Sequence, residues 1–390
     1  MKRSLYLIFF AIISFALYSY ESLSMRRIEF LKDNSLPSGT KYLIMMLVVS
    51  VLSLIIFKNN PIKRIKTASA FKSLLIWVYI ISIVYSFLLP FSRANYVLII
   101  LPLFLLYFSS FYAKYVKTDE VIVWSMTFVA IGLLLHFIKG LSSSFTMMRT
   151  GASYYIAYFL PFFLCHKNTI VKLVCVILTF AAVVISVKIG GLLCVSVAVM
   201  VYLFIKQKVN NFKQCSFKAF YILAIIALLL YWVVLYLDNN VLGGIFINHI
   251  GESSDSGGSG RLEIYGMYLK LIFNSSILKF LFGHGWLGSE NVSSLGLTCH
   301  NDFLEAFFDF GLIGFVLYVF FHLSLFSLCR KLVRHRSKYA PVMCASVAEF
   351  FINSMVSHIF IYPWYFMIFT FFWGFVMSNI ENSKNIRKLV

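Results

Sequence analysis

The feature that most constrains this chain is the length of its uninterrupted apolar blocks. Reading between polar breaks gives twelve of them, at 4–20, 42–57, 73–91, 95–111, 121–138, 152–165, 170–187, 190–205, 219–237, 302–328, 341–358 and 362–380. Most approach the roughly 20 residues that a helix needs to cross a bilayer. They lack the alternating segments of about ten residues that build an outer-membrane barrel. Composition agrees: 61% of residues are hydrophobic and 13% charged, against about 45–50% and about 25% in soluble domains. A soluble enzyme, a nucleic-acid module and a disordered tail are excluded. The expected fold is an all-α polytopic integral membrane protein with twelve transmembrane helices.

The formal net charge of +19 then speaks to topology. With the N-terminus inside, 23 of the 34 basic residues fall on the inner side, as expected where Lys and Arg are retained in the cytoplasm. Both termini are therefore expected to be cytoplasmic. The surplus charge would meet anionic headgroups, and nucleic acid is not an expected partner. Lys2 and Arg3 precede the first apolar run as in a signal peptide, but no small-x-small cleavage site follows, so this block reads as a retained span. Of the seven cysteines only Cys299 lies clearly on the outer side, and no Cys or His pair has zinc spacing. Neither an outer disulfide nor a metal is expected. The organisation is one membrane domain, with nine spans over 1–237, a long outer loop over 238–301 and three spans over 302–390.

The connections are short apart from that loop, and loops of such length in compact proteins are usually functional or disordered. It opens with a Ser/Gly-rich stretch ending at Gly260, and Arg261 follows at once. From there Leu262, Tyr265, Leu269, Ile272 and Phe273 share one helical face, which predicts an amphipathic helix at the membrane surface. Arg261 stands at its N-terminus, where free amides and the positive dipole end favour phosphate. Equally, Arg261 could pair with Glu252 or Asp255 to order the loop. The run Gly283-His284-Gly285-Trp286-Leu287-Gly288 spells a dinucleotide-binding glycine pattern. That pattern needs a preceding strand and a βαβ unit, so a tight glycine turn is the better reading.

The loop ends in His300-Asn301-Asp302, at the mouth of the tenth span. Asn301 suits a helix cap, and Asp302 and Glu305 suit the first turn. Gly311 and Gly314 are small residues that let helices approach. Asp309 and Glu349 read as buried helix–helix hydrogen-bonding groups. Helix building leaves only His300 without a structural duty, and an imidazole there is a candidate acid–base group.

The stretch from Ser259 to Val316 resembles the O-antigen polymerase and O-antigen ligase superfamily. His300-Asn301, nine residues, Gly311, two residues and Gly314 have the spacing of its signature. Ser259-Gly260-Arg261, the Gly283-x-Gly285 turn and Arg149 in the outer loop before the sixth span are similar to further family elements. The resemblance implies a membrane glycosyltransferase of the bacterial inner membrane with its site facing the periplasm. The donor would be a glycan on undecaprenyl pyrophosphate. The acceptor would be a lipid-linked repeat unit for a polymerase, or lipid A–core for a ligase. No cofactor or metal is implied; membrane lipids and a chain-length regulator are candidate partners. His300 would be catalytic, Arg261 and Arg149 would bind pyrophosphate, and Asn301, Glu305, Gly311 and Gly314 would support the motif. The compact loop and the Ser-Gly-Arg element favour the polymerase. A lipid-linked oligosaccharide flippase, the reading from another class, would require charged or broken helices lining a midplane path.

Overall fold

The computed structural model describes residues 150–210, 260–285, 298–360 and 362–381, together with scattered positions in 102–134, 232–251 and 288–292. The blocks at 4–20, 42–57 and 73–91 lie outside the described residues, as does most of 219–237. Among the described residues the structure is helical, with no strand.

The elements run α1 (Thr150–Tyr158), α2 (Leu160–Leu164), α3 (Thr169–Ile185), α4 (Ile189–Asn210), a π-helical turn (Asp238–Leu242), α5 (Arg261–Phe273), α6 (Ile277–Phe282), α7 (Gly288–Val292), α8 (Asp302–Arg334), α9 (Ala340–Val356) and α10 (Pro363–Glu381). The block at 152–165 is thus two helices. Pro161 has no N–H to give to the turn before it and its ring crowds the carbonyl four residues back, so the chain restarts there as α2. Asn168 caps α3 by accepting from the amides of Ile170 (2.8 Å) and Val171 (3.4 Å).

α4 and α8 are long and apolar enough to cross a membrane. Together with the apolar helices α3 and α9 and the composition of the whole chain, they make this a membrane protein. α4 lies on α9 through small buried residues, Gly190, Gly191, Cys194 and Ala198. A Cβ on Gly190 would stand 3.1 Å from the Tyr154 hydroxyl of α1 and 3.4 Å from Val356 of α9. That close approach brings the starts of α1 and α4 to the end of α9. α8 and α9 share an aromatic core in which Phe321, Phe350 and Trp373 meet at 5.2–6.1 Å.

α8 is broken at Gly311, whose backbone (φ 67°, ψ −169°) is far from helical. In an unbroken helix the carbonyls of Phe308 and Asp309 would bond to amides four residues on. Here they accept instead from the amides of His284 (3.0 Å) and Gly285 (2.8 Å). The glycine turn after α6 is what fills the break. Gly283 and Gly285 both take positive φ, 90° and 95°, which glycine adopts without a Cβ penalty. A Cβ on Gly283 would collide with the Asp309 carbonyl, and one on Gly311 with the Leu281 carbonyl. Gly311 therefore serves a loop-to-helix contact rather than the helix–helix approach expected of it. Gly314 makes room for Phe310 of its own helix across the break.

Candidate functional site

The site grows from the N-terminus of α8. Asn301 caps the helix as its position predicts, accepting from Phe303 N (3.0 Å) and Leu304 N (3.1 Å). Its amide also donates to the Met355 carbonyl at the end of α9 (2.9 Å). Asp302 reaches across to the next turn, accepting from Ile359 N (3.0 Å) and from the Tyr318 hydroxyl (3.1 Å). Glu305 accepts from Cys299 N (2.8 Å) and from the Ser289 hydroxyl of α7. Asp309 accepts from Ser289 N (3.2 Å), a bond to the loop. Glu349, expected to bond between helices, is buried and has no hydrogen-bond partner among the described residues. The three acids of α8 thus hold the loop and the α9–α10 turn against the helix start. They leave His300 fixed from both chain directions.

His300 itself takes a left-handed backbone (φ 51°), uncommon for a residue with a Cβ but more frequent for His than for most. Its carbonyl accepts from the Tyr265 hydroxyl of α5 (3.3 Å). Its ring stacks on that of His358, with centroids 4.9 Å apart and planes at 26°. His358 in turn meets Thr298 Oγ1 through Nδ1 (3.2 Å) and lies against Tyr362 at 4.7 Å.

Two cations bear on this pair. Burial lowers the pKa of His300 from its ordinary 6.5, and the positive charges of Arg261 and Lys188 lower it further. His358 is pushed down to about 3 by burial, then by His300 and Arg261. Both imidazoles are neutral at pH 7 for the same reason: a second positive charge there would be poorly solvated and repelled. Lys188, in the α3–α4 turn, is half-buried, and its pKa is lowered by burial and by Arg261. The field of Arg261 also reaches Tyr154, which shares a hydrogen bond with Ser357. Among the described residues neither Arg261 nor Lys188 has an ion-pair partner.

The predicted residues come together unevenly. Arg261 begins α5, behind a left-handed Gly260 that makes no side-chain cap bond, so the guanidinium stands at the helix start. Arg149 lies outside the described residues, as do Glu252 and Asp255. The α5 face divides otherwise than its periodicity suggests. Tyr268 and Ile272 are buried against Cys299 and Phe308, while Leu262, Leu269 and Phe273 stay exposed. Sequence reasoning did not single out Lys188, His358 and Tyr154, and it read Tyr265 only as part of the apolar face of α5. Lys188 sits alone in a short loop assigned to the outer side, and that placement was the signal that could have found it. His358 closes the eleventh block on that same side.

The helix ends thus gather an imidazole beside two cations that have no ion-pair partner among the described residues. Residues 174–319 match the family model described as O-antigen ligase. The matched region contains Lys188, Arg261, His300, Gly311 and Gly314. None of the curated proteins compared matches the chain.

Proposed function

We propose that the protein is a surface-polysaccharide polymerase. It transfers a glycan from undecaprenyl pyrophosphate onto a lipid-linked repeat unit at the periplasmic face of the bacterial inner membrane. The observation that carries this reading is the pairing of a neutral imidazole, His300, with two cations that no carboxylate of the described residues neutralises. Holding two like charges near one another in a half-buried site is unfavourable until an anion joins them. A diphosphate supplies that anion.

In the proposed reaction the bond between the anomeric carbon and the phosphate oxygen breaks, and the electron pair leaves with the diphosphate. Arg261, Lys188 and the positive end of α5 stabilise the charge that develops there. Arg149, just ahead of α1, is proposed as a third cation. The acceptor hydroxyl forms the new glycosidic bond and gives its proton to His300, which is neutral and so able to take it. Asn301 and Glu305 act by fixing the backbone on either side of His300. Gly311 and Gly314 act through the break that seats the loop. No step here calls on a metal or a cofactor.

The test is the polysaccharide ladder on a gel. His300→Ala and Arg261→Ala should each abolish or shorten it; wild-type ladders in both would overturn the assignment. A second reading, the ligase that joins the finished glycan to lipid A–core, is supported by the description of the matching family. The null strain separates them. A single repeat unit on lipid A–core marks a lost polymerase, and accumulated lipid-linked polymer with bare core marks a lost ligase.

A further inference from the structure

We propose that α6 (Ile277–Phe282), a segment of the long loop, is inserted among the lipid chains of the leaflet on the site's side of the membrane. α8 has 33 residues, about 50 Å at 1.5 Å per residue, well over the roughly 30 Å of hydrocarbon. The part after the Gly311 break, 312–334, spans about 35 Å and crosses the bilayer unaided. The break therefore lies at the upper edge of the hydrocarbon, and the turns before it stand in the headgroup layer.

α6 packs beside that break. Phe280 meets Phe307 above it (5.6 Å), and Phe307 meets Phe315 below it (5.3 Å). The other side of α6 is bare and apolar: Ile277 is 70% exposed, Leu278 66%, Phe282 40% and the adjoining Phe273 67%. Below the break α8 carries an exposed stripe at helical spacing, Ile313, Val316, Phe320 and Leu323, which is its lipid-facing side.

The backbone is prepared for a medium without water. Non-helical chain at membrane depth must pair its polar groups within the protein. The turn closing α6 does so, with Gly283 N on the Lys279 carbonyl and the next two amides on the freed carbonyls of α8. Ser276 accepts from Lys279 N at the other end of α6. Lys279, the one charged side chain of α6, has a four-carbon stem that lets its ammonium reach the headgroups.

The test uses full-length protein in liposomes, with a nitroxide on Ile277→Cys or, separately, on Leu278→Cys, and the labelled wild type as background. Collisions with oxygen, which concentrates in lipid, should exceed those with a water-soluble nickel chelate severalfold at both positions, as at a Phe320→Cys control. An excess of nickel collisions matching a Glu263→Cys control on α5 would overturn the proposal. So would poor access by both reagents, which would mean that protein, including a second copy of the chain, covers the segment. The readout does not depend on glycosyl transfer, so it stands or falls apart from the proposed activity.

Discussion

At the scale of single residues the site is governed by what keeps His300 uncharged. Burial contributes most, then Arg261, then Lys188. A base whose pKa is lowered keeps its neutral form to a lower pH, so the acid limb of the activity profile should lie below 6.5. Replacing Lys188 or Arg261 by Gln removes a repulsion and lets the His300 pKa rise. The acid limb should then move to higher pH, and the plateau rate should fall by about 10²–10³ for the loss of a charge-stabilising group. Rate against pH, measured on the purified protein with a lipid-linked donor, reads both effects; a lower plateau with an unmoved limb would detach the cations from the imidazole. His300→Ala should lose about 10²–10⁴ in rate, the usual weight of a positioned base. His358 acts on the ring of His300 through the stack and on Thr298 through Nδ1. His358→Phe keeps a ring to stack and should retain more activity than His358→Ala; equal loss in both would assign the effect to the Thr298 bond.

At the scale of elements, the contact between the α6 turn and the α8 break should be the most substitution-sensitive part of the loop. Gly311→Ala and Gly283→Ala each force a Cβ onto a left-handed backbone and into a carbonyl of the partner segment. Strain of that kind costs about 1–3 kcal/mol. Because each glycine faces the other's segment, the double substitution should cost less than the sum of the two. Gly266, inside α5, is the counterexample: nothing lies within 4 Å of its would-be Cβ. Gly266→Ala should therefore stabilise by about 1 kcal/mol through helix propensity alone. Thermal unfolding in detergent, followed for all four variants, checks both signs. The sequence made the ends of these elements legible. Asn301 as a cap, Arg261 as a helix start and Gly283-x-Gly285 as a turn depend on residues a few positions apart. The break at Gly311 was hidden because a glycine in an apolar run reads equally as a packing residue. Only its partner, 28 positions earlier, shows that it is a hinge for the loop. Lys188 and His358 were hidden for the same reason. Their nearness to His300 comes from α4 lying on α9 and α9 on α8, and no local pattern records which helix ends meet.

At the scale of the whole molecule, the ends that meet all belong to one side. Residues of α5, of the start of α8, of the α3–α4 turn and of the α9–α10 turn lie around His300. The opposite ends carry the basic clusters, among them Lys206 and Lys208 on α4 and Arg330, Lys331 and Arg334 on α8. Clusters of this kind stay in the cytoplasm; on that rule the His300 end is expected outside. A transporter would place its broken helix and its charges along a midplane path. The break in α8 instead sits where the loop joins the helix and is filled by backbone hydrogen bonds from that loop. This supports the proposed surface reaction site over a passage. Reporter fusions decide the orientation without any assay of activity. A fusion at Ser256, in the long loop, and one at Ser337, between α8 and α9, should report opposite sides, with Ser256 outside. If both reported the same side, α8 would not cross the bilayer. His300 and the Arg330 cluster would then share a compartment, and the cations would lose their claim on a lipid-borne diphosphate at the outer face.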